Sequence, residues 1–414
     1  MKKLFLSFCL IFSVSFFSCY VYVPEKDYSK ILEKQEYKSF NHLNKPFVLK
    51  LNTYLDFLAE KDNGRVYERR RGAYYVIYDW ETESVFDFVY VPSDNSNLNY
   101  SLLQRKTNDG SYVYINWFYD YTTSENKYYF MNSSGNKIER LNRGIHLDED
   151  FSDYGGEVIN SSDDESNVLA LIFKDEDKIK FTYIDVNTKD VFKEKIIKKD
   201  GYFSDCWIDA TGTIWFIEIQ TKEENKEYAY FGYYNYKTDE LKKNCFEFEQ
   251  NTGKYIKDEF GGTWENNFSY SITYSDEQFL IIEKKEYGKD NKTLNKYSYL
   301  IMNKKNNEDY LYDEIYFENK SIEKVYEYKN EYYLFSETDD YSNREIYKLN
   351  QEKNGVEFLH ENTENLYRMN FRDEKVFFIN VNEEDTRIAY YDVLNNEFKE
   401  MEGFVLDDVL KSVE

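Results

Sequence analysis

Four residue types are scarce in this 414-residue chain. It has 3 prolines, 16 glycines, 3 histidines and 4 cysteines. So little proline and glycine, beside so many aromatics, argues against a disordered chain. His42, His146 and His360 are far apart in sequence, and the cysteines form no C-x-x-C pair, so the common zinc-binding and Cys/His catalytic arrangements have no basis here. Positive charge is also short: 53 Lys and Arg face 78 Asp and Glu, a formal charge of −25. A phosphate-binding surface would have to form against that field, which argues against nucleic acid as a partner. Gly-x-Ser-x-Gly, His-Glu-x-x-His, a Walker A loop and a dinucleotide fingerprint are all missing. No resident cofactor or metal is expected.

What is abundant is aromatic: 43 Tyr, 32 Phe and 5 Trp make up 19% of the chain, too much for disorder despite the charge. The longest apolar run, Leu4 to Phe17, is too short to cross a bilayer comfortably, and it follows Lys2 and Lys3. It reads as an export signal. Its end, Phe16-Phe17-Ser18-Cys19, resembles the lipobox of bacterial lipoproteins, with phenylalanines where leucine and a small residue are usual. That resemblance implies cleavage before Cys19 and attachment of acyl chains to it. The expected division is signal peptide 1–18, tether or short helix 19–45, and body 46–414. The chain would then be exported and lipid-anchored to the bacterial cell membrane or outer membrane, facing the periplasm or the cell exterior. Cys206 and Cys245 remain as a candidate disulfide in an oxidising compartment, with two buried thiols as the alternative.

Beyond residue 45, short runs with period-2 alternation and many β-branched and aromatic residues predict strands, as in YVYINWFYDY (112–121), KIKFTYIDV (178–186), TIWFIEIQ (213–220) and KVFFINV (375–381). A turn built on Asp or Asn recurs at Asp79, Asn132, Asp185, Asn235, Asn303, Asn350 and Asp392, about every 52 residues. These side chains can close a turn on their own backbone. Upstream of each lies a polar tip: KDNG before Arg65, NDG before Ser111, SDDES before Asn167, DATG before Thr213, SDEQ before Phe279, KNE before Tyr332 and RDE before Lys375. Two markers keeping one order seven times predict an all-β repeat.

The pattern resembles the degenerate, WD-less β-propellers of bacterial exported lipoproteins. Asp209-Ala210-Thr211-Gly212-Thr213-Ile214-Trp215-Phe216, followed by Tyr234-Asn235-Tyr236-Lys237-Thr238-Asp239-Glu240, carries it best. The resemblance implies four-stranded antiparallel blades, most simply seven. Six or eight stay open because the step from Asn235 to Asn303 is long, and a β-sandwich is the structural alternative. Ring closure would hide the sheet edges of so aromatic a chain.

Few residues suggest chemistry. Asp148, Asp150, Asp153, Asp163, Asp164, Asp339 and Asp340 lie in acidic clusters, but the sixth position of the loop starting at Asp148 is Asp153 rather than the glycine an EF-type site needs, so solvated loops explain them. Arg69-Arg70-Arg71, the densest basic cluster, reads as a solvated hairpin or as local ion pairs. Trp117, Trp207 and Trp215 fall in or beside strand cores, which leaves Trp80 and Trp264, near loops, as interaction candidates. The expected function is a non-catalytic protein-interaction scaffold in the cell envelope, held at the membrane through lipid on Cys19 and bound to an envelope protein. The alternatives are an extracellular carbohydrate- or peptide-acting enzyme, or a sugar- or small-ligand-binding lipoprotein, with the site at the central channel.

Overall fold

The computed structural model describes residues 38–61, 64–92, 97–120, 125–134, 139–140, 157–161, 166–223, 226–256, 263–287, 294–304, 312–317, 320–338, 343–350, 355–362, 368–380, 385–405 and 408. Within them, 28 strands follow one another in simple antiparallel meanders, and the meanders form seven consecutive units. Unit one is β1 (Phe47–Lys61), β2 (Gly64–Asp79) and β3 (Ser84–Pro92). Unit two is β4 (Asn97–Lys106), β5 (Tyr112–Asp120), β6 (Glu125–Asn132) and β7 (Glu139–Arg140). Unit three is β8 (Glu157–Val158), β10 (Val168–Lys174), β11 (Lys178–Asp185) and β12 (Val191–Lys198). A short β9 (Asn160–Ser161) leaves it to pair in parallel with the next unit.

Unit four is β13 (Tyr202–Ile208), β14 (Thr213–Glu223), β15 (Lys226–Asn235) and β16 (Glu240–Ile256). Unit five is β17 (Thr263–Ser275), β18 (Phe279–Tyr287), β19 (Leu294–Asn303) and β20 (Tyr312–Phe317). Pairing of β16 with β17, from Asn251↔Asn267 to Ile256↔Thr263, fuses units four and five into one nine-stranded sheet with β9 at its edge. Unit six is β21 (Lys320–Tyr328), β22 (Glu331–Thr338), β23 (Arg344–Leu349) and β24 (Val356–Asn362). Unit seven is β25 (Arg368–Arg372), β26 (Lys375–Asn380), β27 (Thr386–Asp392) and β28 (Glu397–Phe404).

Middle strands are apolar at almost every position because each sheet is covered on both faces. In β26, Val376 and Phe378 point to a cluster shared with Tyr333, Phe335 and Ile346 of unit six, while Phe377 and Ile379 point to one shared with Phe47, Val76 and Tyr78 of unit one. In β14, Ile214 and Phe216 pack toward unit three, while Trp215 and Ile217 pack toward unit five. Alternation therefore persists, expressed as which neighbour a side chain meets. Among the described residues there are seven such clusters, each joining consecutive units, and one of them joins the last unit to the first. Sheets of this meander topology, packed face to face around a closed ring, make the fold an all-β propeller.

The ring closes by side chains and loop contacts. Tyr78 donates to the carbonyl of Glu402, Lys399 pairs with Glu83 at 2.5 Å, and Arg372 Nε donates to the Lys45 carbonyl at 2.8 Å. Among the described residues the two terminal units share no strand.

Five of the seven recurring Asp and Asn side chains close their own turns. Carboxylate or amide oxygens accept backbone N–H bonds two residues on at Asp79 (Glu81), Asn132 (Ser134), Asp185 (Asn187), Asn235 (Lys237) and Asp392 (Leu394). The body also reaches further toward the amino terminus than residue 46. Phe40 is 2% exposed in the cluster between units one and two, its N–H donates to the Ser133 carbonyl, and Lys38 N–H donates to Asp87. An apolar aromatic surrounded by Lys, Ser and Asn gave no period for a strand or helix, which is why 38–45 read as tether. The segments assigned to the signal and to the rest of the tether lie outside the described residues.

One marker sits on the other side of the ring. KDNG joins β1 to β2, and the next turn, at Asp79, lies at the opposite end of those strands. The tip chemistry is the same as elsewhere, but the strand it ends is different. Because β3 pairs with β2 only from Gly72 to Asp79, the paired stretches Thr53–Lys61 and Gly64–Gly72 extend past the sheet as a two-stranded arm.

Candidate functional site

On the side of the ring carrying the Asp and Asn turns, the first turns of units two, three, four and five surround two adjoining recesses. One, of about 340 Å³, is lined by Lys106, Thr107, Asn167, Asp209, Gly212 and Tyr236, among others. The other, of about 370 Å³, is lined by Asp209, Thr211, Trp215, Tyr233, Asp276 and Lys304, among others. Asp209 stands between them. Its Oδ1 accepts the N–H groups of Thr211 at 3.0 Å and Thr213 at 3.1 Å, which fixes the turn DATG. Gly212 is required in that turn: its φ is +84° and a Cβ would lie 2.3 Å from the Tyr236 ring.

The other oxygen of Asp209 faces unit five. Lys304, just after β19, donates to Asp209 Oδ2 at 2.8 Å, to Ser275 Oγ at 2.7 Å and to the Asp276 carbonyl. Its side chain is 13% exposed and that of Asp209 only 2%. Burial pulls the lysine below its ordinary pKa, and the Asp209 carboxylate opposes that shift. The ammonium also lies 5.3 Å from the Trp215 ring. Asp276 continues the network into unit six: its Oδ1 accepts from the N–H groups of Gln278 and Phe279, and its Oδ2 accepts from Tyr332 at 2.6 Å. One chain of charge-assisted bonds thus ties three units together beside the recess.

The innermost strands hold a second acidic feature. β13, β17 and β21 each carry a register shift, at Phe203/Asp205, Ile272/Tyr274 and Ile322/Lys324. At the first, Asp205 accepts from Cys206 N–H at 2.8 Å and, across the unit boundary, from Ile272 N–H at 2.7 Å. At the next boundary Tyr299 accepts the N–H of Ile322 and donates to Glu283 at 2.7 Å. Burial raises the pKa of Asp205 and of Glu323. Asp205 is held as a brace between strands; the amide bonds it accepts are what a ladder irregularity leaves over.

The residues singled out from sequence are scattered. Trp80 is half-buried at the ring closure, where its Nε1 donates to the Asn44 carbonyl at 2.9 Å and its ring meets Phe377, so its polar edge is already used. Trp264 lies in β17 opposite Tyr255, on the hairpin joining units four and five. Cys206 and Cys245 are not bonded to each other: they lie on opposite faces of unit four, Cys206 in the cluster with unit three and Cys245 against the cluster with unit five. A sheet separates them, and linear spacing carries no information about that. His42 packs edge-on to Phe86, and His360 stacks on Tyr391 with its pKa lowered by burial. His146, Cys19 and the acidic clusters at 148–153, 163–164 and 339–340 lie outside the described residues, and Arg69–Arg71 are described in backbone only, within the β1–β2 arm. Among the described residues no group of three or more His, Cys, Asp and Glu converges in a way that would hold a metal ion.

No sequence signal gives Lys304, Tyr332 or Tyr233 a role, and Asp276 stands only within the tip SDEQ. Asp209 was flagged only for its turn. Lys304 is marked only by its place directly after the turn residue Asn303.

No family model matches the chain, and no curated protein matches it. Among solved structures, an oligogalacturonate lyase in complex with manganese is 10% identical at a TM-score of 0.41, covering 74% of this chain and 85% of that one. The β-propeller domain of the Trilobed protease from Pyrococcus furiosus is 10% identical at 0.45, covering 86% and 94%. Pyrococcus horikoshii acylaminoacyl peptidase is 11% identical at 0.43, covering 91% of this chain and 55% of that one. None of these likenesses carries an argument about what this chain binds or does.

Proposed function

We propose that this chain is an exported lipoprotein, anchored through acyl chains on Cys19, whose seven units are seven blades forming a non-catalytic interaction scaffold in the cell envelope. The observation that carries this reading is the outer rim. The outermost strands of units three to seven all expose large apolar side chains: Phe192 and Ile196 on β12, Leu241 on β16, Tyr312 and Tyr316 on β20, Phe358 on β24 and Phe398 on β28. Single exposed apolar residues are ordinary, but a series repeated on the outermost strands of consecutive units suits docking of a partner. The ionisable groups at the recess support binding over catalysis, since Asp209, Asp276 and Lys304 are engaged with one another and with their own turns.

Two measurements test the two halves of the reading. Cys19→Ala should release the protein from membranes, and full retention after high-salt washing would overturn the anchor. In-cell crosslinking of the anchored protein should recover one envelope protein in near-equal amount, and Tyr316→Ser with Phe358→Ser should lose it. Equal recovery from that variant, or no partner from the wild type, would overturn the scaffold.

A second reading, a sugar- or small-ligand-binding lipoprotein, is favoured by the 370 Å³ recess, where Trp215 and Tyr233 stand beside the hydroxyls of Thr211 and Thr213. Aromatic faces next to convergent hydroxyls suit a polar ring. A saccharide panel that raises the melting temperature of the wild type but not of Tyr233→Ala would replace the scaffold reading with this one.

A further inference from the structure

We propose that the rim of units three and four docks on the headgroup layer of an anionic phospholipid bilayer. The proposal deepens the reading above by naming a surface that part of the rim meets, and it rests on that reading only for the nearby anchor.

Charge is the first observation. Residues 189–200 and 237–243 contain eight lysines and five acids, in a chain whose formal charge is −25. The two segments form one surface. Lys193 and Lys195 of β12 both reach Asp239 of unit four, at 3.1 and 3.3 Å, and Lys243 of β16 reaches Asp200 at 2.8 Å and the Lys198 carbonyl. The Phe192 ring lies 5.6 Å from that of Tyr236, so the apolar parts are continuous across the unit boundary too.

Exposure is the second. Phe192 is 47% exposed, Ile196 54% and Leu241 37%. Along β12 the side chains of Phe192, Glu194, Ile196 and Lys198 are exposed, and the register shift opposite Tyr183 and Ile184 turns Phe192 toward Tyr236 of unit four while Ile196 and Lys198 project from the other face of the same edge strand. Apolar side chains interleaved with lysines on one edge match the layered chemistry of a bilayer surface, where acyl boundary and phosphate lie a few ångströms apart.

Cation type selects a lipid surface over a shaped site. All eight cations in the two segments are lysines. Lysine is a flexible point charge suited to a diffuse phosphate layer, whereas bidentate recognition of a fixed carboxylate or phosphate favours arginine. The net negative charge does not forbid the contact. At physiological ionic strength the screening length is about 8 Å, so acids on the far side of the ring are largely unseen by the bilayer, and those nearer the patch repel and so orient the molecule. Reach permits it as well. Lys38 lies on unit one, bonded to Asp87 of β3, and the 18 residues between it and Cys19 can span at most about 60 Å. An anchored chain can therefore lay this rim on the bilayer that holds it.

The test uses the full chain carrying Cys19→Ala, which has no acyl group, in sedimentation with vesicles of phosphatidylcholine alone or with 30 mol% phosphatidylglycerol. Binding at least tenfold stronger to the anionic vesicles is expected, abolished at 0.5 M salt. Lys198→Glu with Lys242→Glu should lose that preference, and Phe192→Ser with Ile196→Ser should weaken binding several-fold while circular dichroism shows the fold retained. Equal affinity for both vesicles, no binding to either, or a charge variant that binds like its parent would overturn the proposal. So would an absence of vesicle binding combined with in-cell crosslinks from Lys198 to a protein. These outcomes are independent of the anchor, because release of Cys19→Ala from washed membranes reads lipidation alone.

Discussion

Asp209 and Lys304 are 95 positions apart in the chain and 2.8 Å apart across the boundary between units four and five. The pair is buried, and each partner has further hydrogen bonds, so its value is best seen by breaking one side. Lys304→Met should cost about 3–5 kcal/mol, because it leaves the Asp209 carboxylate buried without its cation. Adding Asp209→Asn should recover part of that loss. Urea denaturation of both variants checks this, and additive losses would show that the two groups do not act as a pair.

Glu218 gives a prediction with a pH signature. Its side chain is buried between units three and four, Oε1 accepts no hydrogen bond among the described residues, and Oε2 accepts the Asp200 N–H at 3.4 Å and is 3.9 Å from Lys243. Burial raises its pKa above the usual carboxylate value, against the pull of Lys243. A carboxyl whose folded pKa is raised favours the fold below its unfolded pKa, and that contribution fades as pH rises through the folded value. At pH 7 the ionised group therefore weighs against folding. Glu218→Gln should stabilise the fold at pH 7, and the gain should shrink toward zero as pH falls to the ordinary glutamate range. Denaturant midpoints taken at steps from pH 8 to pH 5 provide the check; a gain independent of pH would refute it.

Two glycines with nearly the same backbone angle should behave differently. Gly110 and Gly212 have φ of +85° and +84°, but a Cβ at Gly110 meets nothing within 4 Å, while one at Gly212 meets the Tyr236 ring. That ring is itself packed on Tyr183 at 4.7 Å and on Phe192. Gly110→Ala should lose about 1–2 kcal/mol from the left-handed conformation alone. Gly212→Ala adds overpacking of about 1–3 kcal/mol. Thermal unfolding of the two variants side by side distinguishes them, and equal losses would mean that Tyr236 moves aside freely.

Local chemistry was the legible part of this fold. Asp79, Asp185, Asn235 and Asp392 each needed a polar side chain able to bond its own backbone, and each does so where the sequence places it. What could not be read was anything set by which face of a sheet a residue occupies. In strands covered on both sides, Cys206 looks no different in sequence from Cys245, yet they face different neighbours. Phe40 was overlooked for the opposite reason, as one buried ring in a polar stretch with no period around it. The Asp209–Lys304 contact was out of reach because only the stacking of successive sheets brings those turns together.

The ring has one join and one weld. Units seven and one meet through side chains and a few loop bonds, while units four and five, on the far side, share a strand pairing that is interrupted by one register shift. Strain applied to such a ring is not distributed evenly. Consecutive units are linked by the chain itself, whereas the last unit meets the first through non-covalent contacts alone, so among the described residues opening the ring there breaks no peptide bond and no strand pairing.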